Sequence, residues 1–215
     1  MFRIVGVLAL LAGVAWGIFY LWTSTPEYSI SQVKDAVKAH DKAKFDKFVD
    51  AEEFADGMAD DMLTKPIKEA MGGNTIGRWV AAGMSGIFKP QFVSQIKRDL
   101  YDLVEKGSLS QSVGTDQVDP DMTLGAVDRR LCLSQNDYKR IENIKSDGKV
   151  ATVTVVLHNK EHNKDFKLDV QMQKTEDYWR VTKMLNFPEF VARLIEVESA
   201  HQNEQTGTTE PIRRI

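Results

Sequence analysis

Phe166-Lys167-Leu168-Asp169-Val170-Gln171-Met172-Gln173 alternates strictly between apolar and polar side chains. Successive side chains of a strand point to opposite faces, so this run predicts a strand with one buried and one wetted face, the pattern of an antiparallel sheet covered on one side. Upstream, Val150 to His158 is dominated by β-branched residues that favour a pleated surface. Ser146-Asp147-Gly148 supplies a hairpin turn into it from an earlier strand, Tyr138 to Lys145. Asn159 to Asn163 reads as a longer polar loop, and Thr175 to Asp177 turns the chain into a fourth strand, Tyr178 to Leu185.

Outside these strands the apolar period becomes helical. Phe187, Phe190, Val191, Leu194 and Ile195 fall at i, i+3, i+4, i+7 and i+8 after a capping Asn186, with Pro188 in the first turn. The pattern stops near Ser199, and 199–215 reads as a polar, disordered tail. Toward the other end, Ser29 or Ser31 is expected to cap a helix carrying Ile30, Val33, Ala36 and Val37. Asp41 caps a second with Phe45, Phe48 and Val49, and a third places Phe54, Met58 and Met62 one turn apart. The other side of that third helix is acidic and reads as a solvated face. Pro90 is expected to open a helix with Phe92, Ile96, Leu100, Leu103 and Val104 inward, ending at Gly107. Residues 65–131 as a whole read as an insertion-like, largely helical region.

Helices followed by a run of antiparallel strands make an α+β architecture. The expectation is several helices packed on a curved, four-stranded antiparallel sheet and closed by a C-terminal helix. That domain spans 29–198, behind a linker at 23–28 and an N-terminal transmembrane helix at 1–22.

Ile4 to Trp22 contains no charged residue. At about 1.5 Å per residue, 19 residues span roughly 28 Å, close to a bilayer's hydrocarbon thickness. Phe19, Tyr20 and Trp22 gather at the far end, where aromatic rings favour the headgroup layer. A cleaved signal peptide would have a shorter apolar core and a small-x-small site, so a retained signal anchor is the better reading. Arg3 precedes the segment and Glu27 is the first charge after it, which leaves the N-terminus cytoplasmic and sends the domain outside, to a periplasmic or extracellular address in the cell envelope. Ala9, Gly13 and Gly17 form a small-xxx-small ladder compatible with a homodimer through the anchor.

The 215-residue chain is 42% hydrophobic and 27% charged, as globular domains are. A net charge of −3 without a basic cluster gives nucleic acid no purchase. The single cysteine, Cys132, excludes an internal disulfide.

Three stretches carry a family resemblance: Pro26-Glu27-Tyr28-Ser29 directly after the anchor, Ala39-His40-Asp41-Lys42-Ala43-Lys44-Phe45-Asp46-Lys47-Phe48-Val49-Asp50, and Tyr178-Trp179-Arg180-Val181 ahead of Asn186-Phe187-Pro188. Together they resemble a family of bacterial membrane-anchored proteins known only as a domain of unknown function. More distantly the chain is similar to the cone-shaped helix-and-sheet fold of nuclear-transport-factor-like and cystatin-like proteins. The resemblance implies a fold and a membrane address, and no reaction.

No chemistry stands out in the residues. His158 and His162 flank a polar hairpin loop without a third ligand, and the acidic run from Asp50 to Asp61 lacks the ligand order of a calcium loop. Neither G-x-G-x-x-G nor G-x-S-x-G occurs among the glycines from Gly72 to Gly86. No cofactor or metal is implied, and a non-enzymatic module that binds an unidentified protein partner in the envelope is the expectation. The alternative is a carrier or sensor of a lipid-like, apolar ligand. Its pocket, between sheet and helices, would be lined by residues such as Trp79, Phe88, Phe92, Val153 and Leu168.

Overall fold

The computed structural model describes Gly13, Trp16 and residues 19–62, 85–107 and 136–206. Helices α1 (Pro26–Ala39), α2 (Lys42–Phe48), α3 (Ala51–Met62) and α4 (Ser85–Lys106) precede strands β1 (Asn136–Ser146), β2 (Val150–Asn159), β3 (Lys164–Lys174) and β4 (Trp179–Met184), and α5 (Phe187–Thr206) closes the chain. The strands form one antiparallel sheet in the order β1-β2-β3-β4. The protein is thus an α+β structure with helices, a four-stranded antiparallel sheet and a C-terminal helix.

Register fixes which side chains share the inner face. Val153 opposes Val170, Val155 opposes Leu168 and Leu157 opposes Phe166. On β1, Ile144, Ile141 and Tyr138 oppose Val153, Val155 and Leu157, with two bulges adjusting the strand between them. The outer face carries Thr154, whose hydroxyl donates to Asp169 at 2.6 Å, so Asp169 points away from the core as its place in the alternation requires. The tight turn uses Gly148 at φ 92, and the Asp147 carboxylate accepts from the Lys149 and Val150 amides at 2.9 and 2.8 Å. Those backbone bonds hold the Asp147 carboxyl below the usual range.

The helices enter through local chemistry that departs from the sequence expectation at several points. Thr25, not Ser29 or Ser31, caps α1: its hydroxyl accepts from the Tyr28 amide at 3.2 Å, and Pro26 takes the first position, where no amide is needed. Ser29 is fully buried and accepts from the Trp179 amide at 3.0 Å. Asp41 caps α2 as expected, accepting from the Lys44 amide at 2.9 Å. Helix α4 begins at Ser85, upstream of Pro90. As the sixth residue, Pro90 lies past the four free amides of the first turn, so the Gly86 carbonyl lacks its usual intrahelical donor. The Asn186 side chain does not cap α5. It continues the sheet, with Oδ1 accepting from the Asp169 amide at 2.7 Å and Nδ2 donating to the Lys167 carbonyl at 3.2 Å. Helix α5 runs to Thr206, past the Ser199 at which its apolar stripe ends, because Ala200 to Gln205 contains no glycine or proline and backbone bonding continues.

The stretch 23–28, read as the linker, carries several hydrogen bonds and runs into α1 at Pro26. The Thr23 and Ser24 hydroxyls donate to the Tyr20 carbonyl, and the Trp179 indole donates to the Ser24 carbonyl at 2.9 Å. Trp22, Tyr28, Phe48 and Tyr178 form a chain of edge-to-face rings with centroid spacings of 4.9, 6.2 and 5.3 Å.

The inner sheet face, α3, α4 and α5 build the core. Phe187, Val191 and Leu194 are each at most 2% exposed, and Phe166 meets Phe190 edge-on at 6.0 Å. Each fully buried side chain of this size contributes about 1.5–3 kcal/mol, so docking rather than propensity stabilises α5. Lys89 on α4 bridges Asp56 and Asp60 at 2.9 Å each, Lys97 meets Glu52, and Arg180 meets Asp50 at 3.1 Å. The acidic side of α3 thus stays solvated, with Glu52, Asp56 and Asp60 more than half exposed, while bases from α4 and β4 pair with it at the surface. Hydrogen bonds to Asp60 and Asp56 raise the Lys89 ammonium above its ordinary pKa.

Replacing Ser29 by Ala leaves the buried Trp179 amide without its acceptor. The expected cost is about 1–3 kcal/mol in urea denaturation; a loss under about 0.5 kcal/mol would show that the amide finds another partner.

Candidate functional site

Helix α1 stands over the inner face of the sheet without filling the space beneath it. The result is an open cleft of about 720 Å³. Sheet residues Val155, Leu157, Leu168 and Val170 form its floor, with Val181 and Met184 of β4 continuing it. Ile30, Val33 and Val37 line it from α1, one helical stripe of i, i+3 and i+7. Phe45, Val49, Phe54 and Leu100 contribute from α2, α3, α4 and the junction at Val49. Volume and lining match those of pockets that take small organic molecules, about 300–1,000 Å³.

Polar groups collect where α1 meets the start of β1. Lys34 and Lys38 flank the cleft on the helix side, and Asn136, Asp137, Tyr138 and Lys139 on the strand side. The Lys34 ammonium lies 5.2 Å from the centroid of the Tyr138 ring. Lys139 is engaged with Asp165 at 2.6 Å, and Asp137 with Lys160 at 2.7 Å. Asp165 also meets His158 Nδ1 at 2.9 Å. Hydrogen bonds from Lys139 first, then His158, hold the Asp165 carboxyl below the usual range. His158 thus serves a carboxylate on the neighbouring strand. Among the described residues no group of three or more His, Cys, Asp and Glu is placed to hold a metal ion.

Of the residues singled out from sequence for a pocket, Leu168 lies on the cleft floor. Phe92 and Val153 are 5% and 0% exposed within the core and are not among the described residues lining the cleft. Val153 pairs with Val170, which does line the cleft, and Phe92 lies on α4, the helix that packs on α3. Phe88 falls in α4 with its side chain outside the described set, and Trp79 lies outside the described residues, as does most of 65–131. Ile30, Val33 and Val37 were legible as an inward stripe. The lysines beside that stripe were legible only as an i, i+4 pair, with no sign that they border a cleft.

At the N-terminus, Ile4 and Gly17 lie outside the described residues. Trp16, Phe19, Tyr20, Leu21 and Trp22 are exposed, Trp16 at 73%. A Cβ placed on Gly13 would meet nothing within 4 Å. Among the described residues, no helix is long and apolar enough to cross a membrane.

Comparison with family models, with curated proteins and with solved structures returned no match.

Because Asp165 is depressed in the fold, what it contributes is present above the ordinary carboxylate range and is lost as pH falls through its lowered value. Asp165→Asn is expected to flatten the acid limb of the stability profile below the ordinary carboxylate range, measured by denaturant midpoints; an unchanged acid limb would mean that its ties to Lys139 and His158 are too solvated to matter.

Proposed function

We propose that this chain is a membrane-tethered, non-enzymatic module that binds an elongated apolar ligand in the cleft between α1 and the sheet. The observation that carries the reading is the cleft itself: about 720 Å³ with a mainly apolar lining, open between α1 and the inner face of the sheet. Contiguous apolar surface of this kind is costly to leave wet, and soluble domains keep it where something binds. A carrier or sensor accounts for it directly, whereas a module acting only through its outer surface would gain stability by filling it.

The tether is residues 4–22, with the N-terminus cytoplasmic and the domain outside the cytoplasm. Support comes from the uncharged sequence and from the row of exposed aromatics at 16–22, which are disfavoured in water and favoured at a headgroup layer. The hydrogen-bonded stretch after Trp22 would hold the domain at a fixed distance from that layer, so that a ligand drawn from lipid reaches the cleft over a short path.

Photo-crosslinking in the full chain, held in lipid nanodiscs, tests the reading. A long-chain alcohol bearing a diazirine should label the peptides containing Val33 and Leu168 saturably. Val33→Trp places an indole in the cleft and should reduce that labelling at least tenfold while leaving the denaturation midpoint within about 1 kcal/mol, since Val33 is only partly buried. Labelling that is unsaturable, or unaltered by Val33→Trp, would overturn the proposal. Lengthening the alcohol should tighten binding by about 0.8 kcal/mol per methylene until the cleft is full.

A further inference from the structure

We infer that the cleft selects a single-chain amphiphile with an anionic head, held at the mouth by Lys34 and Lys38; this rests on the cleft being the ligand site. The division of polarity in the site points this way. Its floor and walls are aliphatic and aromatic, and its described charged side chains stand only at the mouth. A ligand matching that division has an apolar tail and one polar end.

The sign of that end follows from the pairing of the mouth residues. Lys139 and Asp137 are committed to Asp165 and Lys160 at 2.6 and 2.7 Å. Lys34 and Lys38 have no carboxylate partner among the described residues. They stand four apart on α1, one turn from each other on the same face, where like charges repel. An anion between the two ammonium groups relieves that repulsion and gains two charge-assisted hydrogen bonds. Lys34 is already drawn toward the strand side by the face of Tyr138, whose phenol also borders the mouth. A zwitterionic or cationic head finds no unpaired carboxylate among the described mouth residues.

A carboxylate and a phosphate monoester share this chemistry, so the head is defined here as a compact anion. The experiment uses three diazirine probes with the same alkyl chain: a fatty acid, a monoacyl phosphate and the alcohol. Each is titrated against the full chain in nanodiscs of zwitterionic lipid. At least one anionic probe should half-saturate at a concentration about tenfold below the alcohol. In Lys34→Gln/Lys38→Gln that advantage should vanish while the alcohol's half-saturation stays within twofold, and Lys34→Arg/Lys38→Arg should restore it. Whichever anion retains the larger advantage identifies a fatty acid or a phosphate head. Equal half-saturation of all three probes in the unmodified chain overturns the inference and leaves the cleft reading standing, as does an anionic preference that survives the double glutamine variant. Failure of all three to label the cleft overturns both.

Discussion

The free edge of β4 is the constraint from which the rest of the structure follows. A six-residue edge strand presents unpaired amides and carbonyls, and left open it would be both costly and prone to pair with another chain. Here the N-terminal helices close it. The Ser29 hydroxyl takes the Trp179 amide, Val49 bridges Val181 in parallel, and the Asp50 amide donates to the Val181 carbonyl at 2.8 Å. Arg180 reaches back to the Asp46 and Val49 carbonyls and pairs with Asp50. These bonds join segments about as far apart in sequence as the domain allows, so the sheet and the opening helices gain order together.

That closure also explains why there is a cleft. Helix α1 is pinned at its N-terminal end, through Ser29, to β4, while its later residues reach across to Tyr138 on β1. Its C-terminal end is held by His40, which leaves the helix in a left-handed conformation and meets the Val104 carbonyl of α4 at 2.8 Å. With both ends fixed to different elements, α1 spans the sheet as a strut. Its stripe of Ile30, Val33 and Val37 faces the strand floor across a gap that those side chains are too small to fill. Where no such strut intervenes, as under α5, Phe187, Phe190 and Leu194 close down on the sheet.

The sequence was most informative where one local rule governed. Period-two alternation placed the strands to within a few residues, Asp41 announced its cap, and the stripe of α5 gave its inward face. It was least informative where a side chain serves a distant partner. Ser29 had the composition of a cap but is used as an acceptor for a strand 150 residues away. Asn186 likewise looked like a cap and instead extends the β3 ladder. The acidic run on α3 gave no hint of Lys89 and Lys97, because ion pairs between helices leave no periodic trace. Of the named pocket residues whose side chains are described, Leu168 lines the cleft and Phe92 and Val153 do not; hydrophobicity alone does not separate a packed wall from an open one. Apolar identity and pairing register were legible, whereas free volume depends on how two elements are held apart.

The central claim is that the space beneath α1 is a ligand site rather than a packing defect. Methyl-resolved NMR of the full chain in nanodiscs, with a spin-labelled single-chain amphiphile added, tests it most directly. The account expects saturable broadening that is strongest at Val33, Val155, Leu157 and Leu168 and weaker at Leu194 beneath α5. Broadening spread over exposed methyls, or confined to none, would contradict it.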